Sequence, residues 1–224
     1  MSVGEKMKDV VIVCDDLFGL EVYSILEEIN KTRAAKGQEA LYNILGYISF
    51  CESPFGSVKH SIERLGGIED RTPSNGESYV MAVTSPALKK RIAGIMEPKG
   101  CRFETVIAPW TRRKADEVGE GTLLAAFSVK SGLKIGRFVT AVESMLIARP
   151  IGDYSTIMRF ANITGNIGTG SYIGNHAYSH LDKSIGDDCY VADGSIIVKN
   201  VKDGTCVAGM PAKKMKAPDT QSKV

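Results

Sequence analysis

From Gly165 to Lys199 the chain repeats itself every six residues. Ile167-Gly168, Ile173-Gly174, Ser179-His180, Ile185-Gly186, Val191-Ala192 and Ile197-Val198 fall on one register. Two residues before most of these pairs stands a small side chain: Ser171, Ala177, Cys189 and Ser195, with Lys183 the exception. A period of six is neither a helix period nor a simple strand alternation. It predicts a solenoid in which each hexad is one short strand plus one corner, and three hexads close a triangular coil. Upstream, Val118-Gly119, Ile135-Gly136 and Ile151-Gly152 are spaced by nearly one full coil. Ile151, Ile157 and Ile163 are again six apart, after which the phase slips to Ile167 as if one corner were two residues short. In the degenerate early hexads, Glu143 and Arg149 occupy positions where a small inward residue is expected. Five to six coils stacked at about 4.8 Å make a prism about 25 Å long.

The first hundred residues read differently. Residues 10–14 are a continuous apolar run, the pattern of a buried parallel strand. Asp15 and Asp16 follow as candidate N-caps, then residues 18–30 with Leu20, Val22, Tyr23, Ile25 and Leu26 at helical spacing. Further strands are predicted at 45–50, 79–83 and 103–107, and a helix at 87–95 with Ser85 as N-cap and Pro86 in its first turn. Strand and helix in alternation predict a small parallel sheet. His60 is assigned to a further helix, with Lys59 and Arg64, as a surface residue. The boundaries that result are a sheet domain over 1–108, a solenoid over 109–212 and a tail over 213–224.

A formal net charge of +2 gives no footprint for nucleic acid. The one dense basic run, Lys213-Lys214-Met215-Lys216, reads as a solvated tail. The apolar run at 10–14 is too short for a leader core or a membrane span. The five cysteines (14, 51, 101, 189 and 206) have no metal-binding spacing and are odd in number. They read as reduced thiols, which implies a cytoplasmic protein without a metal site.

Val106-Ile-Ala-Pro109, Val118-Gly-Glu-Gly-Thr122, the Ile-Gly hexads, Val198-Lys-Asn-Val201 and the closing Val207-Ala-Gly-Met-Pro-Ala-Lys213 resemble the hexapeptide-repeat sugar acyltransferases of the NeuD/PglD type. The resemblance implies an α/β plus β chain: a small Rossmann-like parallel-sheet domain that binds the acceptor, followed by a left-handed parallel β-helix. It also implies acetyl-CoA as co-substrate, bound in a cleft between adjacent β-helices, and assembly as a homotrimer. The acceptor would be an amine or hydroxyl of a sugar or sugar nucleotide in polysaccharide biosynthesis. The positions matching the family's CoA contacts are Thr156, Gly165, Gly174, Asn175 and Asp193. Alternatively these glycines are simply corner residues that any solenoid needs.

The chain departs from the family pattern at three places. The glycine-rich first loop is replaced by Cys14-Asp15-Asp16-Leu17-Phe18-Gly19, whose two aspartates would repel a diphosphate. The acidic residue that usually ends the second strand is replaced by Ser49 and Phe50, and the family's catalytic histidine by Ile147. A further common histidine, before the proline at the domain junction, is Ala108. Acyl transfer needs a base at the acceptor, and only His176 and His180 offer an imidazole within the solenoid. The register points both outward, where a neighbouring subunit would close a cleft. One reading gives one of them the base role, with Asp182 available to orient His180; the other makes them packing residues at a surface or trimer interface. Glu143 beside Arg149 is a second candidate base, a structural ion pair, or simply a solvent-facing pair. Trp110 is expected to cap the open end of the solenoid or pack the domain junction. The competing function is a homologue that has lost catalysis and serves as a trimeric binding scaffold.

Overall fold

The structure, a computed structural model, describes residues 6–74, 76–111, 117–129, 132–146 and 150–218. Ile147, Arg149 and the end of the tail (219–224) lie outside the described residues.

The alternating region folds as a four-stranded parallel sheet. Its strands are β1 (Lys8–Cys14), β2 (Tyr42–Ile48), β3 (Arg64–Gly66) and β4 (Glu77–Ala82), in the spatial order β3-β2-β1-β4. Helix α1 (Phe18–Ala34) follows β1, and α2 (Pro86–Met96) follows β4. The apolar run of β1 is buried on both sides: Val10 and Ile12 face the core under α1, and Val11 and Val13 face the core under α2. Ser85 caps α2 as expected, its hydroxyl accepting from the Leu88 N–H at 3.3 Å. The helix assigned to His60 is absent. That ring lies edge-on to Phe55 and Tyr47, with Nδ1 3.1 Å from the Ile62 carbonyl oxygen.

The strand predicted at 103–107 is divided between two structures. Phe103 bridges Tyr79 beside β4, whereas Val106–Ile107 pairs with Leu123–Leu124 in the first coil. Thereafter every coil lays short parallel strands on three faces. The inward side chains stack in columns: Leu124, Ala141, Ile157, Ile173, Val191 and Val207 on the first face; Val129, Leu146, Ile163, Ser179 and Ile197 on the second; Val118, Ile135, Ile151, Ile167, Ile185 and Val201 on the third. The phase slip at Ile167 is the natural length of these coils, since Ile135, Ile151 and Ile167 are direct partners sixteen residues apart. Ile167 to Ile185 is the long coil, and its extra length is the corner at Asp182-Lys183, where the Lys183 N–H turns back to the His180 carbonyl.

The Ile-Gly pair has a specific cause. The isoleucine fills the column; at Gly136, Gly168, Gly174 and Gly186 the glycine makes room for an aspartate of the next coil, and at Gly119 and Gly152 for the next coil's main chain. The Asp193 carboxylate accepts from the Asn175 N–H at 2.8 Å, and a Cβ on Gly174 would lie 2.3 Å from that oxygen. Asp153, Asp187 and Asp203 bind the amides of Arg137, Thr169 and Asp187 in the same way. Inside, Thr122, Ser155 and Ser171 each donate a hydroxyl to a carbonyl of the following coil.

The sheet domain sits on the outward side of the first face. Leu123, Ala125, Val142 and Met158 pack with β1 and α1 in one core. On the α2 side, Lys89 is fully buried and donates to three carbonyls of a solenoid corner: Phe138 (3.0 Å), Ser155 (3.1 Å) and Tyr154 (3.3 Å). Burial pushes its pKa well below the usual lysine range. The unfolded chain therefore holds the proton at pH values where the folded chain releases it, and that proton opposes folding. As pH rises toward the ordinary lysine value, wild type should gain stability relative to Lys89→Met. Parallel urea titrations of the two proteins measure this, and a difference that does not change with pH contradicts it.

Candidate functional site

A cavity of about 750 Å³ opens at the carboxyl ends of β1 and β4, roofed by the loop at 53–58 and walled on the solenoid side by Met158 and Arg159. The chain leaves β1 for β2 on one side, and β4 lies on the other, so the opening falls at the point where the strand order reverses. Open parallel sheets leave a crevice there, because the connections diverge to opposite faces.

The loop after β1 is closed on itself. The Asp16 carboxylate accepts from the Phe18 N–H at 2.9 Å, and the Asp16 carbonyl accepts from the Gly19 N–H at 3.1 Å. Gly19 is packed against the end of β1: a Cβ there would lie 2.7 Å from the Cys14 side chain. Asp15 turns the other way. Its carboxylate accepts from the Ser49 hydroxyl at 3.1 Å and from the Cys51 N–H at 3.3 Å. Two departures read separately in the sequence, Asp15 of the first loop and the serine after the second strand, are thus one lock between β1 and β2. Phe50 lies under the Arg91 guanidinium, 4.3 Å from ring centre to cation. Burial, with Asp16 and Asp15 nearby, pushes the Cys14 thiol up to about 12 and keeps it protonated at neutral pH.

Glu143 is not an inward residue of the solenoid, and Arg149 lies outside the described residues. Ser144 takes the inward position, and Glu143 stands at a left-handed corner with φ of 43°. Its partner is Arg159, 3.5 Å away, and the same guanidinium binds Glu21 of α1. The indole of Trp110 donates to the Ala125 carbonyl at 3.2 Å and lines a smaller pocket with Glu143 and Arg159, at the junction of the two domains.

His176 and His180 flank the strand Tyr178–Ser179, and both side chains are exposed. They sit at different corners. His176 has φ of 55° and its N–H donates to the Arg159 carbonyl, which places it one coil above the cavity wall. Its ring stacks on Phe160, 4.9 Å between centres, and Phe160 in turn lies 6.2 Å from Phe127. In the next coil the same corner is Gly194, where a Cβ would find only the Met210 methyl carbon within 4 Å, at 3.9 Å. His180 stands at the far edge of the second face, beside the long corner.

Among the five residues matched to CoA contacts, Thr156 is fully buried and bonds the Thr84 carbonyl beneath the sheet domain, which leaves it no outward surface. Gly165 and Gly174 are packing positions: a Cβ on Gly165 would lie 2.0 Å from the Lys183 carbonyl oxygen. Asn175 and Asp193 are joined by a second hydrogen bond between their side chains, at 3.1 Å, and lie on the outside near Gly194. Among the described residues, no cluster of three or more His, Cys, Asp or Glu side chains is arranged to hold a metal ion. Among the same residues, no helix is long and apolar enough to cross a membrane.

No family model matches the chain, and no curated protein matches it in sequence. Solved structures do match in fold. The acetyltransferase domain of PglB from Neisseria gonorrhoeae FA1090 aligns over 93% of this chain and 100% of its own, at 20% identity and a TM-score of 0.69. WeeI from Acinetobacter baumannii AYE aligns over 94% and 100%, at 22% identity and a TM-score of 0.72. PerB from Caulobacter crescentus, solved in complex with CoA and GDP-perosamine, aligns over 94% and 99%, at 16% identity and a TM-score of 0.72. The chain has the fold of these proteins from the sheet domain through the solenoid, as its repeats and closing segment led us to expect.

Proposed function

We propose that the protein is an acyl-CoA-dependent transferase that moves an acetyl group from acetyl-CoA to an amine or hydroxyl of a sugar-type acceptor. The observation that carries this reading is the adjacency of two features. The cavity at the strand-order reversal opens against Met158 and Arg159, and the next coil presents His176 at the same corner. The acceptor occupies the cavity, and His176 removes its proton as it attacks. Imidazole takes up and releases protons near neutral pH, which suits it to that task. The nucleophile bonds to the thioester carbonyl carbon, the carbon–sulfur bond breaks, and CoA leaves as the thiol. The proton lost by the acceptor passes through the imidazole to the sulfur. His180 is the second candidate, but it stands at the other corner of its strand.

The co-substrate fits beside His176. Gly194 puts no side chain of its own at the corner above the imidazole, and Asn175 with Asp193 offers partners for the amide groups of a pantetheine arm. A second copy of the chain completes the groove. Phe127, Met145, Phe160 and Tyr178 are large apolar or aromatic side chains, each more than two-fifths exposed, along the second face and its corner. Exposed apolar side chains gathered on one face favour a partner, and a trimer of left-handed β-helices would cover them three times over. Aspartates at the corners preclude none of this, since their carboxylates are already bonded to amides of the adjacent coil.

The test is thiol release from acetyl-CoA with and without a panel of amino sugars and their nucleotide conjugates. Release that depends on an acceptor supports the transferase. CoA binding without release on any acceptor supports instead a scaffold that has lost catalysis, the reading favoured by Ile147 at the usual base position.

A further inference from the structure

The charge and hydrogen bonding of the cavity decide which form of acceptor it admits. In an open parallel sheet, the loop after the first strand and the first turn of the following helix commonly hold a phosphate, through unpaired amides and the positive helix end. Here three of those amides, all in the first turn of α1, are already used. The Phe18 N–H is taken by the Asp16 carboxylate, the Gly19 N–H by the Asp16 carbonyl, and the Leu20 N–H by the Leu17 carbonyl at 3.0 Å. An anion belonging to the protein stands where a ligand's phosphate would otherwise sit.

The remaining charges reinforce this. Glu21 also lines the cavity, and Arg159 is the one cation among its described lining residues. That guanidinium is held between Glu21 and Glu143. The sum over Asp16, Glu21 and Arg159 is negative, and among the described lining residues no cation is left to neutralise a diphosphate. Burial pushes the Asp16 carboxyl above its ordinary value, with Asp15 adding to the effect and the Phe18 N–H opposing it. A carboxylate in that position lacks countercharge that an incoming cation would supply. The other polar groups on the wall, Ser53 and Ser57, are hydroxyls suited to hydroxyl partners, and Phe18, Val58 and Met158 supply apolar surface.

From these contacts we infer that the cavity takes a free amino sugar, or a comparable hydroxylated amine carrying a positive charge, and rejects the same sugar attached to a nucleoside diphosphate. The inference rests on the transferase reading for the purpose of the site, but its test reads binding alone. The solenoid side of the chain and the way the acyl group is delivered are unaffected by it.

The experiment is equilibrium calorimetry on the intact protein with 2-, 3- and 4-amino hexoses and the uridine and guanosine diphosphate conjugates of each. Across the panel, at least one free amine should bind about tenfold or more tightly than its conjugate. Asp16→Asn retains the bond to the Phe18 N–H while removing the charge. It should weaken binding of the free amine about tenfold and narrow the gap to the conjugate. Glu21→Gln provides a second charge removal away from the loop, with an effect in the same direction. Conjugates that bind more tightly than free amines, or a panel in which no free amine binds, would overturn the inference. If amines bind but no acetyl group is transferred, the transferase reading fails while this one stands. If conjugates bind and are acetylated, the reverse holds.

Discussion

Alanine at Gly165 is expected to destabilise the solenoid by about 3 kcal/mol or more. The position is buried, and the added Cβ would lie 2.0 Å from the Lys183 carbonyl oxygen and 2.4 Å from its carbon. Those are main-chain atoms, so no flexible side chain can swing aside. The neighbouring coil is also tied down. The Lys183 N–H is bonded to the His180 carbonyl, and the Ser184 N–H to the Asn200 side chain at 3.1 Å. Because each coil contacts only its neighbours, spreading this pair would break the stack between the early and late coils rather than be absorbed across the domain. Gly94→Ala is the matched control. That glycine is exposed in α2 with nothing within 4 Å of its Cβ position, and the change should add up to about 1 kcal/mol of helix stability. Chemical denaturation of both variants measures the contrast, and a Gly165→Ala protein as stable as wild type would mean that the coils are not stacked as described.

The second large effect concerns His176. Removing a general base lowers turnover by about 100- to 10,000-fold, and His176→Asn should fall within that range with little change in the acceptor KM. Asparagine is the right replacement because His176 adopts φ of 55°, a left-handed conformation that asparagine tolerates and alanine does not. The fold at the corner is then kept and only the imidazole is lost. His180→Asn, at the other end of the same strand, should leave turnover within a few fold of wild type. Equal losses in the two variants would remove the distinction drawn between the two corners. Unchanged turnover in both would remove the base role from either histidine.

What the sequence made legible follows from how local each interaction is. The columns of inward residues repeat at short range, so the triangular solenoid could be read from residues 165 to 199 alone. The Ser85 cap and the buried β1 run are equally local. The division of residues 103–107 was not legible, because the choice of Val106 between two sheets depends on Leu123 in a coil not yet closed. Nor was the lock between Asp15 and Ser49, thirty-four positions apart. Glu143 read as an inward residue because the register of the early coils was undetermined; Ser144 is the inward residue, and Glu143 reaches Arg159 across the corner.

One signal was present and unused. In the early coils the outward positions of the first face include Leu123, Ala125, Thr140, Val142 and Thr156, small or apolar where a solvated strand would carry charge. They mark the surface on which the sheet domain sits, and they explain why Thr156 is bonded to Thr84 rather than exposed to a co-substrate. Lys89 gave no such signal, since a lysine on an amphipathic helix reads as solvated until the three carbonyls around it are seen.

The account turns on whether the cavity and the His176 corner act together as one acyl-transfer centre. The most direct measurement follows a labelled acetyl group when the protein is mixed with labelled acetyl-CoA and the amino-sugar panel. The account predicts label on the acceptor, in one-to-one proportion with CoA thiol, from wild type and not from His176→Asn. Label that stays on CoA across the whole panel, with CoA bound, would contradict it.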